Sequence, residues 1–207
     1  MEAEANDGGL LSAMTTEHFV LQTANSSTYA EASARSSLYV MALSSSLVAI
    51  GILSSSSQFA LLFTAVILPS VFVLGLFTVA RLVETSLESM HYLTGIARIR
   101  AYYRTLGPEA ARHFAIESGR WPEIASPAMR HGSAMAFMGT TASMIAVTNN
   151  VVAGAGMALL THVFWPTAST TICAIGGAVT AMVLTLAFYA YQRWRFNDYD
   201  GAGGQQF

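Results

Sequence analysis

From Phe59 to Ala80 the chain carries no charged side chain, and beyond Arg81 its apolar residues recur every three or four positions among charged ones. At a rise of 1.5 Å per residue the first stretch, about 22 residues, measures about 33 Å, close to the hydrocarbon thickness of a bilayer. In the second stretch Leu82, Val83, Leu87, Met90, Leu93, Ile96, Ile99, Tyr103 and Leu106 share one stripe, while Glu84, Glu88, His91, Gly95 and Arg98 fall on another face. The pattern predicts one long helix, from Phe59 to about Leu106, that begins in lipid and leaves it at Arg81. An amphipathic stripe of this kind has to be covered. Leu87, Met90, Leu93, Ile96 and Tyr103 are therefore a candidate assembly face, to be met by the N-terminal helix, by its counterpart in a second subunit or by the lipid interface.

Three other stretches are free of charge: Ser37 to Leu53, Ala134 to Phe164 and Ala168 to Tyr191. The expected fold is all-α, an integral membrane protein with four transmembrane helices in two hairpins plus cytoplasmic helical extensions. Residues 1–14, acidic and Gly-containing, are expected to be disordered. Thr15 or Thr16 can cap a helix over 15–36 that leads into the membrane. Hairpin 1 covers 37–80 and turns at Ser54-Ser-Ser-Ser-Gln58. Region 81–133 holds the amphipathic helix, then Gly107-Pro108, a short helix from Pro108 to Ser118 closed by Gly119, and an irregular loop. Hairpin 2 covers 134–192, and 193–207 is a flexible end. Pro69, in mid-span, withholds a donor from the carbonyl near Ala65, which predicts a kink and a candidate hinge.

Composition agrees with lipid as the main solvent: 53% of residues are hydrophobic and 11% charged, against roughly 25% charged in a soluble domain. A net charge of −2 without any Lys- or Arg-rich run excludes the basic field that nucleic acid requires. The acidic start, Met1 to Asp7, and the late first apolar run lead us to expect no cleaved secretory signal. Arg35 precedes the first span, seven arginines lie from Arg81 to Arg130, and Arg193 and Arg195 follow the fourth span. Under the positive-inside rule both termini and the central region are cytoplasmic, in a plasma-membrane protein. The lone Cys173 excludes an intrachain disulfide and reads as a small core residue.

The spans hold no Asp, Glu, Lys or Arg, which disfavours proton-coupled transporters, pumps and voltage sensors. Their most polar point is Asn149-Asn150, flanked by Thr140, Thr141, Ser143 and Thr148. An amide left unpaired in lipid costs several kcal/mol, so at least one Asn has to face another helix, a symmetry mate or a water path. Interhelical hydrogen bonding is the plainer reading of Thr148, Asn149 and Asn150; a ring of Asn around an oligomeric pore is the sharper one. Hydroxyls of the Ser44-Ser-Ser46 cluster can bond back to their own helix. Gly154 with Ala158, Gly139 with Ser143, and Gly176 with Thr180 have the four-residue spacing of small residues that lets helices approach. Glu84, Glu88 and His91, and Glu109, His113 and Glu117, align on helix faces but match no metal or acid–base motif, so neither a catalytic set, a metal site nor a cofactor is expected. The chain is read as a non-enzyme.

Glu17-His-Phe-Val-Leu-Gln22, Glu31-Ala-Ser-Ala-Arg35 entering the first span, Arg81-Leu-Val-Glu84 leaving the second, and Ile96-Ala-Arg-Ile-Arg-Ala-Tyr-Tyr-Arg104 together resemble a family of uncharacterised actinobacterial multi-pass integral membrane proteins. The N-terminal helix and first hairpin are also similar to SLATT-type transmembrane effectors of bacterial conflict systems. That second resemblance implies assembly and permeabilisation of the membrane. Two functions are therefore expected in order: a homo-oligomeric pore-forming or effector-type membrane protein, or a non-conducting scaffold that recruits a cytoplasmic protein partner through its amphipathic helices.

Overall fold

A computed structural model describes residues 2–53, 57–114 and 140–203 of the chain. Its elements are α1 (Glu2–Leu53), α2 (Ser57–Tyr103), a 3₁₀ turn (Arg104–Leu106), α3 (Pro108–His113), α4 (Thr141–Phe164) and α5 (Thr170–Gly203). No strand occurs among the described residues. Within these elements Gly8–Leu53, Leu61–Leu106, Thr141–Phe164 and Thr170–Asp198 are long and apolar enough to cross a bilayer. The protein is an all-α, multi-pass membrane protein.

Local chemistry explains the starts of α3 and α4. Thr140 caps α4, its hydroxyl accepting from Ser143 N at 3.2 Å. Pro108 supplies the first residue of α3, where its missing N–H would have had no partner. Before it, Gly107 takes φ of 156° and ψ of 174°, a backbone region that a side chain would strain. Ser36 and Ser46 donate to Ala32 O and Ala42 O at 2.8 and 2.7 Å, the back-bonding that keeps hydroxyls satisfied in lipid.

The helices are longer than the sequence pattern suggests. α1 starts at Glu2 and runs unbroken through the expected disordered segment, the expected cytoplasmic helix and the first span. No proline interrupts it, and Gly8 and Gly9 each cost only about 1 kcal/mol relative to alanine. α5 likewise continues to Gly203, through most of the expected flexible end. α3 closes at His113, short of Ser118, and the Phe114 ring lies 5.3 Å from that of Tyr103. The expected turn at Ser54 to Ser56, the loop to Ser133, Gly139 and the last four residues lie outside the described residues.

The chain divides into two compact units. One comprises the described residues within Met1–Glu31 and Glu84–Ser133. Here Asn25 Oδ1 accepts from Ser89 Oγ at 2.7 Å, and Leu21 packs on Gly95, where an added Cβ would come within 2.9 Å of it. α1 thus covers part of the α2 stripe. Leu87 and Ile96 are buried inside this unit, while Met90, Leu93 and Tyr103 are half-buried. Gly95, expected on the polar face, is at the helix contact because it admits Leu21.

The second unit comprises the described residues of Ala32–Val83 and Ala134–Phe207. Its core joins Tyr39 of α1, Val71, Val79, Leu82 and Val83 of α2, Ala142, Ile145 and Ala146 of α4, and Phe188 of α5. All four spans contribute. Cys173 is buried as well.

Candidate functional site: a polar seam along α4

Helix–helix association in lipid gains little from burying apolar surface, because the solvent is itself apolar; close packing and hydrogen bonds carry it. In the second unit both are concentrated on α4. Asn149, 1% exposed, accepts from the Tyr39 hydroxyl at 3.1 Å and donates through Nδ2 to the carbonyl of Phe72 at 3.2 Å. A carbonyl has two lone pairs, so Phe72 can receive this bond without leaving the ladder of α2. Gly75, one turn along, makes the room: a Cβ there would overlap the Asn149 carboxamide. One amide ties α4 to α1 and α2.

Asn150 turns about 100° away around the helix and meets a different neighbour. Its Nδ2 donates to Thr185 Oγ1 of α5 at 3.1 Å, while that hydroxyl donates to Ala181 O at 2.8 Å. Toward the start of α4, Ser143 Oγ donates to Gln192 Oε1, and Gln192 Nε2 to Thr140 Oγ1, both at 3.4 Å. Thr140 and Ser143 hydroxyls are 2.8 Å apart. Thr148 stays outside the seam; it is exposed and donates to Met144 O in its own helix.

Between these polar ties, α4 and α5 touch backbone to backbone. A Cβ on Gly154 would lie 2.5 Å from Gly177 O, and one on Gly177 would lie 2.5 Å from Gly154 O. Ala181 and Ala158 flank the crossing, so the small residues pair as Gly154 with Ala158 against Gly177 with Ala181. The sequence pattern places α5's small pair one residue earlier, at Gly176 and Thr180. Spacing alone does not separate two adjacent glycines; their rotation about the helix does.

Tyr39 and Gln192 are the members that sequence reasoning misses. Tyr39 sits in an apolar run and reads as hydrophobic bulk, although a buried tyrosine hydroxyl needs a partner. Gln192 sits between Tyr191 and Arg193 and reads as the membrane exit. Its four-residue step from Phe188 puts the two on one face of α5, and in the structure both are buried. Pro69, the candidate hinge, lies within the unbroken helical span of α2. Glu84, His91, Glu109 and His113 are exposed, and Glu117 lies outside the described residues. No three His, Cys, Asp or Glu side chains gather into a metal-binding group among the described residues.

Removing the Tyr39 hydroxyl tests whether the seam contributes to stability. Tyr39→Phe should cost about 0.6 kcal/mol, the mean for hydrogen bonds between membrane helices, and no more than about 1.7 kcal/mol, their maximum. In a double-mutant cycle with Asn149→Ala, unfolding in mixed micelles should give a coupling energy of similar size. Strict additivity would mean that this contact carries no stability.

No protein-family model matches the chain, nor does any curated protein or solved structure.

Proposed function

We propose that this chain is a non-conducting scaffold of the plasma membrane. Its two hairpins hold both termini and the arginine-bearing middle on the cytoplasmic side, where the helical unit of α1 and α2 recruits a protein partner. The observation that carries this reading is the use made of the intramembrane amides. Asn149 and Asn150 are 1% and 6% exposed, and each bonds to neighbouring helices of the same chain. A water path needs polar groups turned toward it, and these two are turned inward. The first unit, in contrast, displays His91, Glu109 and His113 on its exposed surface, groups suited to a polar partner. The reading involves no cofactor and no catalytic step.

A homo-oligomeric pore or effector is the second reading. It is favoured by Ser44 and Ser45, which are exposed on α1 and could line a path between copies, and by the likeness to SLATT-type effectors. Ion flux separates the two. Liposomes bearing the full chain should leak no faster than empty ones, and Asn149→Leu or Asn150→Leu should leave that rate unchanged. A leak above background that either substitution reduces would favour the pore. A photo-crosslinker at exposed His91 should capture one cytoplasmic protein in cells; capture of further copies alone would overturn recruitment.

A further inference from the structure

Beyond the Asn149 contact, toward the α4–α5 turn, a groove of about 660 Å³ opens inside the second unit between α2, α4 and α5. Leu61, Ala65 and Phe72 form one wall, and Ala153, Gly156 and Leu160 the other. Thr180 and Leu184 of α5 also line it, and the Thr180 hydroxyl is already committed to Gly176 O at 2.9 Å. The surface is almost wholly hydrocarbon. We propose that this groove binds an acyl chain of a glycerophospholipid from the leaflet on the side of the α4–α5 turn.

Length, volume and chemistry each point to that occupant. The walls run from Leu61 to Phe72 and from Val152 to Phe164, about 18 Å of helix each at 1.5 Å per residue, which is close to half of the roughly 30 Å hydrocarbon core. The groove is one leaflet deep. A cavity of about 150 Å³ takes up benzene, six carbons, so on that scale the groove holds roughly 26 carbons, one to two acyl chains. A helix from a second copy is too bulky: one turn, 5.4 Å long and 10–12 Å across, fills about 400–600 Å³, and a groove of this length would have to admit three. At the end near the α4–α5 turn Trp165 is exposed, a side chain suited to the headgroup level. No arginine stands in α4 or in the turn that follows it, so the headgroup is not selected by negative charge.

The test uses the full chain in liposomes of phosphatidylcholine that carries a diazirine on one acyl chain. After illumination, adducts should concentrate on peptides containing Leu61–Phe72 and Val152–Phe164, above the level on the exposed faces of α1 and α5. Gly156→Leu should reduce those adducts about tenfold, the loss that 1.4 kcal/mol of affinity produces. Leu160→Trp, which fills the groove from a position 53% exposed and should be tolerated by the fold, should do the same. Uniform labelling of all lipid-facing helices, or groove labelling that neither variant reduces, would overturn the assignment. So would an unlabelled groove whose walls instead crosslink to a second copy.

Discussion

A methyl group at Gly75 should unseat Asn149 and destabilise the protein by about 2–4 kcal/mol, read as equilibrium unfolding in mixed micelles. The argument is steric before it is electrostatic. A Cβ at Gly75 would occupy space that the Asn149 carboxamide fills, and that carboxamide is held from both ends, by Tyr39 and by the Phe72 carbonyl. To escape, it has to give up both hydrogen bonds or push α2 and α4 apart. The expected cost therefore joins an overpacking term of about 1–3 kcal/mol to the bonds lost. The sign of the coupling is the sharper outcome: with Gly75→Ala in place, Asn149→Ala removes the obstacle and should cost little more, or recover part of the loss. Simple addition of the two costs would show that the groups do not meet.

Isoleucine at Gly154 should cost about 3 kcal/mol or more and loosen hairpin 2 as a whole. Among the described residues Gly107 alone has a positive φ, so glycine is not needed at Gly154 or Gly177 for its backbone freedom. It is needed because each faces the other's carbonyl at a distance that leaves no room for a side chain. Widening the crossing also stretches the nearby Asn150–Thr185 bond, which couples packing to the polar seam. Gly51→Ala supplies the comparison. A Cβ there meets nothing within 4 Å, so the change should cost nothing and gain up to about 1 kcal/mol from the better helix propensity of alanine. Equal losses at Gly51 and Gly154 would point to a general intolerance of glycine replacement rather than to this contact.

The parts of the architecture that depend on chain-local chemistry are legible in the sequence. Uncharged runs of bilayer length mark the four spans, and an amide in hydrocarbon demands a partner, which singles out Asn149 and Asn150. What sequence could not supply is the partner. Tyr39 lies 110 residues from Asn149, and nothing in the run around it sets its hydroxyl apart. Glycine offers even less, since its contribution is an absence: Gly75, Gly95 and Gly177 matter for what they let in, and hydropathy does not register that. Helix ends escape the sequence pattern for a related reason. A polar, glycine-bearing N-terminal stretch resembles a tail in composition, yet no residue in it forbids continuation of α1 from Glu2.

Because Asn149 and Asn150 are consecutive, α4 is keyed to its neighbours on two sides at a single level. Spinning the helix about its axis would withdraw both keys together, and sliding it by one residue would present each amide to the wrong lock. Hairpin 2 can tilt or shift in the bilayer only as a block, carrying its anchors with it.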